Sequence, residues 1–401
     1  MKILQINSVS GIGSTGRIAT DIGKILEVEG HESIIAYGRE KSNDCNKGMK
    51  IGNHFDNYVH VAKTRLFDRH GFGSKKATRN FIDKVEQYKP DIIHLHNVHG
   101  YYLNVELLFE YIKKVNKPVI WTLHDCWPFT GHCSYFDYVN CNRWETGCHS
   151  CPQKKSYPAS VFIDNSKDNY LKKKKLFSGV KNMTIVTPSI WLAELVKKSF
   201  LGEYEVKVIN NGIDLKAFKP TTQSNFREIN KIKNKFVILG VASDWGKRKG
   251  YEYFVELSQK IREDEIIVIV GVTEKQKDNL PTNIIGITKT NSIEDLAEIY
   301  SAADVFINPT LEDNFPTTNL EALACGTPVI TFNTGGSVES IDNSCGIVVD
   351  KGNVMELVIA IEIIKEKGKL SFSQMCIKRA KDLYDKREKF NEYVKEYTNL
   401  L

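Results

Sequence analysis

The sequence predicts two doubly wound α/β domains, each a parallel sheet with helices on both faces. Three observations carry this. At 401 residues the chain exceeds the roughly 250–300 that one hydrophobic core sustains. Short Ile/Val-rich runs alternate with amphipathic stretches of crossover length, the pattern of parallel strands buried on both sides. That alternation lapses once, between Gly212 and Lys235, and then resumes.

In the first series Lys2–Asn7, Glu32–Gly38, Asp91–Asn97, Pro118–Asp125, Met183–Ser189 and Val206–Asn210 read as strands. The helical periods between them include Gly16–Glu29, Asn104–Val115 and Trp191–Phe200. The second series has strands at Phe236–Ser243, Ile266–Gly271, Ile284–Thr288, Asp304–Thr310, Pro328–Phe332 and Gly346–Asp350. Its helices are Gly250–Ile261, Ile293–Ala303, Thr317–Cys325 and Val354–Lys367. The expected domains are 1–212 and 236–370, joined by a polar linker at 213–235. Residues 371–401 read as helices without a strand, free to cross back onto the first domain. Ligands of open α/β sheets bind beyond the carboxyl ends of the strands, so two such domains are expected to face a cleft there.

Composition narrows the class. With 41% hydrophobic and 26% charged residues, wholesale disorder is excluded. No apolar run nears the ~20 residues of a membrane helix, the longest being Ile266–Val272. The opening Met1–Asn7 is interrupted by Gln5 and Asn7, which suits a first strand rather than a signal peptide, and a cytoplasmic protein is expected. Residues 1–200 hold 29 Lys and Arg against 19 Asp and Glu, a net +10, leaving 26 against 30, a net −4, for the rest. The basic half is expected to meet an anion: nucleic acid, a phospholipid surface or a phosphorylated substrate. The alternative is a solvated face.

The loops after strands carry the chemistry. After Asp304–Thr310 comes Leu311-Glu-Asp-Asn-Phe-Pro-Thr-Thr-Asn-Leu-Glu321. Pro316 suits a first helical position, with Asp313 and Asn314 as capping side chains before it. The amides of Thr317 and Thr318 would then point out of a helix start, a ready anion site. A second loop, Asp244-Trp-Gly-Lys247-Arg248-Lys249-Gly250, sets three cations before another helix, which the helix dipole disfavours unless an anion joins them.

Asp313, followed seven residues later by Glu321-Ala-Leu-Ala-Cys-Gly-Thr-Pro-Val, resembles the acidic-x7-Glu motif of the family-4 retaining glycosyltransferases of GT-B fold. Tyr300-Ser-Ala-Ala-Asp304, Thr334-Gly335-Gly336-Ser-Val-Glu339, Asn210-Asn211-Gly212-Ile213-Asp214 and Val186-Thr-Pro188-Ser189 are similar to that family as well. The chain looks closest to its bacterial exopolysaccharide and colanic-acid-type members. The resemblance implies that Glu321 holds the ribose of a UDP- or GDP-linked sugar and that Asp313 bonds the donor sugar. It also implies that amides of Phe315, Thr317 and Thr318 meet sugar and diphosphate, and that Lys249 neutralises the diphosphate. The family more often has Glu at Asp313, and its usual phosphate-binding Arg falls on Ser243, so Arg248 or Lys247 is the substitute. Cations and helix-start amides stabilise a leaving diphosphate without a metal; no Asp-x-Asp pair stands beside a strand end, and no cofactor is expected for catalysis.

In the first half, Gly11-x-Gly13-x-x-Gly16 follows a strand and opens a helix, admitting donor phosphate or acceptor close to the backbone near Gly13. A dinucleotide is the weaker alternative, since no clear acid follows the second strand. His124 ends Pro118–Asp125 and matches the position whose histidine contacts the donor sugar in the resembled family; Asp125 beside it orients that ring or touches acceptor. His94, His96 and His99 follow another strand, with His94 and His96 on one sheet face, and read as a polar acceptor-side wall. Cys133, Cys141, Cys148 and Cys151 either close a structural zinc site or pack as ordinary thiols. Two basic segments, 63–79 with Arg65, Arg69, Lys75 and Lys76, and Lys172–Lys175, suit an anionic inner-membrane surface and a lipid-linked saccharide acceptor. Front-face transfer with retention is what the resemblance implies. A nucleotide-sugar epimerase of the same fold and a zinc-stabilised nucleic-acid-binding module are the alternatives; nucleic acid is not the expected partner.

Overall fold

The computed structural model describes residues 1–41, 48–221 and 225–401. They divide into two units, Met1–Asn210 with Lys389–Leu401, and Asn211–Glu388.

The first unit is built on a parallel sheet of β1 (Lys2–Asn7), β2 (Glu32–Tyr37), β3 (Gly48–Lys50), β4 (Ile92–Leu95), β5 (Val119–Thr122), β6 (Met183–Thr187) and β7 (Glu205–Val208). The order is β3-β2-β1-β4-β5-β6-β7. Every residue of β4, β5 and β6 is buried, which is why their largely apolar sequences show no inward–outward alternation. The chain winds outward from β1 to β3 and returns to β4 beside β1, so the loops after Asn7 and Leu95 open at the switch point. Only β3 has no counterpart in the sequence reading. It is three residues long with Met49 half-buried, too short to show a period.

Three helices of this unit were legible in sequence only as basic tracts. They are His54–Phe67, Lys75–Tyr88 and Ser166–Phe177. The first starts at a reciprocal capping box between Asn53 and Asp56. The last helix of the chain, Lys386–Asn399, sends Phe390, Tyr393, Val394 and Tyr397 into a core shared with Ile3, Ile92 and Ile120. That packing corrects the reading of His94 as part of an open wall. Its Nδ1 lies 2.6 Å from the Tyr397 hydroxyl and its Nε2 2.8 Å from Thr122 Oγ1, fully buried.

The second unit repeats the architecture with β8 (Phe236–Val241), β9 (Glu265–Val270), β10 (Ile284–Ile287), β11 (Val305–Asn308), β12 (Val329–Phe332) and β13 (Gly346–Val349), ordered β10-β9-β8-β11-β12-β13. All pairings are parallel. Its switch point lies between β8 and β11, and the loops after Val241 and Asn308 leave from it. Of the stretch read as a linker, residues 222–224 lie outside the described residues, while Ile213, Phe218, Phe226 and Ile232 are buried in the second core. Among the described residues no helix is long and apolar enough to cross a membrane.

Candidate active site: a cation–carboxylate loop pair and a histidine-rich loop cluster

In the second unit the two switch-point loops are knitted together. The Arg248 carbonyl accepts from Leu311 N (2.8 Å), and the Arg248 guanidinium donates to the Glu312 carbonyl (2.8 Å). Lys249 Nζ donates to Asp313 Oδ2 over 2.5 Å. Burial by itself would raise the Asp313 carboxyl, but the Lys249 and Arg248 charges, with hydrogen bonds from Lys249 and Asn314 N, hold it below its ordinary value. The three-cation loop is therefore placed against a fixed carboxylate at the strand ends.

The neighbouring helix starts at Thr317, as its expected range does, with Pro316 before it as N-cap (φ −70°, ψ 121°) and not as first helical residue. The N-cap side chain makes no capping bond. Asp313 does not serve as a cap, because its Oδ1 accepts from Asn314 N (2.9 Å) and its Oδ2 is committed to Lys249. An eight-residue helix, Thr317–Ala324, thus presents half-buried Thr317 and Thr318 at an uncapped amino end. Phe315 before it is buried, its ring 5.7 Å from that of Tyr384.

What fixes the helix start is a polar network behind it. Asn308 Nδ2 donates to Asn319 Oδ1 (2.8 Å), and Asn319 Nδ2 donates to Ser337 Oγ (3.1 Å) and Ser340 Oγ (2.8 Å). One turn on, Glu321 Oε2 accepts from the Tyr300 hydroxyl at 2.9 Å. Neither Asn319 nor Tyr300 was singled out as a site residue. Both lie inside the quoted motifs, but no spacing rule announces a hydrogen bond across 21 residues.

In the first unit the loops after β4 and β5 meet. His124, partly exposed beyond β5, shares a 3.2 Å contact through Nε2 with His96 Nδ1, and the two rings stack at 5.4 Å. Burial lowers the His124 pKa to about 4 against the raising charge of Asp125, so the ring is neutral near pH 7. His99 is buried, whereas Arg65, Arg69, Lys75 and Lys76 are exposed. The His99 Nε2 lies 3.0 Å from Asp125 Oδ2. His99 Nδ1 is 3.2 Å from the Tyr157 hydroxyl. Burial would raise Asp125, yet the His99 charge and hydrogen bond, the Trp127 amide and His124 bring it below its usual range.

Beside this pair Tyr101 adopts a left-handed conformation (φ 69°), uncommon for a bulky residue, and its ring packs 4.7 Å from that of His70. Lys173 pins the loop from below, donating to the carbonyls of Trp127 (2.7 Å) and Thr130 (3.1 Å) with Nζ 3.4 Å over the Trp127 ring. Gly13, with φ +64°, opens the helix Gly13–Val28, and a side chain there would meet nothing within 4 Å. The loop after β1 therefore leaves open space at its switch point.

The zinc reading is not supported. Among the described residues no group of three or more His, Cys, Asp or Glu side chains is placed to hold a metal ion. Cys133, Cys141, Cys148 and Cys151 instead border a cavity of about 10 Å³ with Phe136 and Trp144, whose rings stack at 4.9 Å. Burial raises the Cys148 thiol to about 11, whereas the Cys133 hydrogen bond brings Cys151 down to about 7, and the sulfurs surround an aromatic pair.

Two parallel-sheet Rossmann-like units, one with an uncapped helix start beside paired cations and a carboxylate, define a glycosyltransferase of GT-B fold. The comparisons agree. Residues 15–217 match the profile of Glycosyltransferase Family 4 and residues 233–366 that of Glycosyl transferases group 1, and the chain belongs to this family. It is 27% identical, over the full length of both chains, to the putative colanic acid biosynthesis glycosyl transferase WcaC of Escherichia coli K12. Over 52% of this chain and 58% of the relative it is 25% identical to a Campylobacter jejuni N,N'-diacetylbacillosaminyl-diphospho-undecaprenol alpha-1,3-N-acetylgalactosaminyltransferase. Among solved structures, sucrose-phosphate synthase of Thermosynechococcus elongatus superimposes with a TM-score of 0.73 at 16% identity, covering 100% of this chain and 98% of that one. Anabaena HepE in complex with UDP and glucose gives 0.69 at 15%, covering all of both chains.

Proposed function

We propose that this glycosyltransferase moves a hexosyl group, with retention and without a catalytic metal, from a UDP- or GDP-linked sugar to a polyprenyl-diphosphate-linked glycan in bacterial surface polysaccharide synthesis. The observation that carries the donor side is the Lys249–Asp313 pair beside the uncapped start of Thr317–Ala324. Phe315, Thr317 and Thr318 offer amides to the diphosphate, and Lys249 with Arg248 supplies fixed positive charge to the leaving group. Glu321, held by Tyr300, takes the ribose hydroxyls. Asp313 is the hydrogen-bond acceptor for the donor sugar, and neutral His124 is read as sugar-binding. The HepE complexes with UDP support a uridine donor, and the Campylobacter relative, named for an undecaprenol-diphosphate acceptor, supports a lipid-linked one.

On the acceptor side the proposal assigns Asp125, His99 and Tyr157, with Gly13 leaving backbone room and Arg65, Arg69, Lys75 and Lys76 providing positive charge. A retaining enzyme can pass the acceptor proton to the departing phosphate, so Asp125 is assigned to orient the acceptor hydroxyl. The protein is expected on the cytoplasmic face of the inner membrane. Thermal unfolding with uridine and guanosine diphosphates, their sugars and NAD, with chelator present, tests the donor site. A ligand at a hundred times its Kd adds about 2.7 kcal/mol. A shift with one base family that survives the chelator is expected; a shift with NAD alone overturns the reading. The anomeric configuration of the product, read by NMR, decides retention.

A further inference from the structure

We infer that the outward face of the helix His54–Phe67, together with residues 161–163, is a surface that seats on an anionic lipid bilayer. Amphipathic helices of a globular unit normally turn the apolar stripe inward. This one does the reverse. Its buried residues are His60 and Thr64, both polar, while Phe55 (74% exposed), Tyr58 (73%), Val59 and Leu66 stand in solvent. Their spacing of three, four and seven residues places them along one side of the helix.

The stripe continues onto a second segment. Val161, Phe162 (71% exposed) and Ile163 are three consecutive apolar residues in solvent. They are tied to the end of the helix by two hydrogen bonds: Val161 N donates to the Arg65 carbonyl (2.8 Å), and the Asn165 side-chain Nδ2 donates to that of Phe67 (3.2 Å). The segment is thereby tethered at the carboxyl end of the helix, next to exposed Leu66 and Phe67 in the chain it bonds to, and the two strips are read as one patch.

Charge selects the occupant. Lys63, Arg65 and Arg69 are exposed along and beyond the helix, and Lys155 and Lys167 flank the second segment. Of the nearby carboxylates, Asp56 closes the capping box, Asp68 is buried on His132 and Asp164 accepts from the Cys151 and Ser166 amides, while Asp168 stands exposed beside Lys167. Apolar tips rimmed by cations that outnumber the exposed carboxylates fit an interfacial seat on acidic headgroups. The choice of a bilayer over another protein rests on the lipid-linked acceptor proposed above.

The test is co-sedimentation of the full chain with vesicles of phosphatidylglycerol and phosphatidylethanolamine, against phosphatidylcholine alone, at low and high salt. Binding to the anionic vesicles that weakens with salt is expected. Each basic side chain lost should weaken it by about fivefold. Leu66→Glu with Phe162→Glu should reduce partition by at least about tenfold, and Lys63→Glu with Lys155→Glu should reduce it at low salt only. Equal binding of these variants and the parent, or equal binding to neutral and anionic vesicles, overturns the inference. So does light scattering that shows a dimer abolished by Leu66→Glu with Phe162→Glu in a protein that ignores vesicles, because a second copy then covers the face. The UDP-sugar thermal shift is read on the same samples. A kept shift with lost vesicle binding by the parent overturns this surface alone, whereas a missing shift with intact vesicle binding overturns the donor site and leaves the surface.

Discussion

Tyr300 donates its hydroxyl hydrogen to Glu321 Oε2 over 2.9 Å, and the phenol is completely buried while the carboxylate is almost so. Burial, and then the Glu321 charge, keeps the phenol protonated far above neutral pH, so it acts as a permanent donor. One carboxylate oxygen is thereby anchored and the group oriented, an arrangement suited to a pair of vicinal hydroxyls. Tyr300→Phe removes the hydrogen bond at little cost in volume. A bond to a charged group contributes about 1.5–3 kcal/mol, so donor affinity should fall about 10–100-fold while the fold is retained. Calorimetric titration with the donor nucleotide checks this; unchanged affinity would remove Glu321 from the ribose role.

Lys249→Ala should lower donor turnover about 10–100-fold, the loss of one charge-assisted hydrogen bond of about 1.5–3 kcal/mol. It has a second signature. With Lys249 gone, the burial that opposes ionisation of Asp313 is less well balanced, so the acidic limb of the pH–rate profile should move to higher pH. A profile that stays in place while the rate falls would show that Lys249 acts on the ligand without holding Asp313.

Gly335→Ala should damage the same loop from behind. Gly335 sits at φ +53°, and an added Cβ would come within 1.9 Å of the Asp313 carbonyl oxygen. The backbone strain and the clash together should cost about 1–3 kcal/mol and displace Asp313. Gly246→Ala in the neighbouring loop is the control, since its φ is −87° and the nearest atom to the added methyl is 3.9 Å away. Urea midpoints and kcat/KM for both decide; equal tolerance would mean that the loop relaxes freely.

The first unit should be acid-labile. Burial lowers His60 and His94 to about 3 and His124 to about 4, against 6.5 when unfolded. Between those values and 6.5 the unfolded chain binds more protons, so stability is full above about pH 6.5 and falls as the pH drops toward 4. The slope is up to about 1.4 kcal/mol per pH unit for each histidine. Tryptophan fluorescence during urea unfolding at pH 7 and pH 5 follows it, as Trp121, Trp127, Trp144 and Trp191 all lie in this unit. His94→Gln should flatten the dependence; an unchanged slope would mean that His94 is protonated in the native state.

By itself the sequence determined the two parallel sheets, because buried strands must be continuously apolar and crossover helices must show a 3.6-residue stripe. It also determined the most chemical stretch, Asp313 to Glu321, since a strand, a loop with Pro316 and a helix carry local signatures. Tertiary structure alone decided what those residues touch. Asp313 spends its oxygens on Lys249 and the Asn314 amide instead of capping the helix, and His94 is sealed by Tyr397, 303 residues away in sequence. It decided as well that the helix His54–Phe67 turns its apolar stripe outward, because the elements packed on its other side accept His60 and Thr64. Periodicity reports that a helix has two faces. Which of them is buried depends on partners distant in sequence, and no local pattern contains that information.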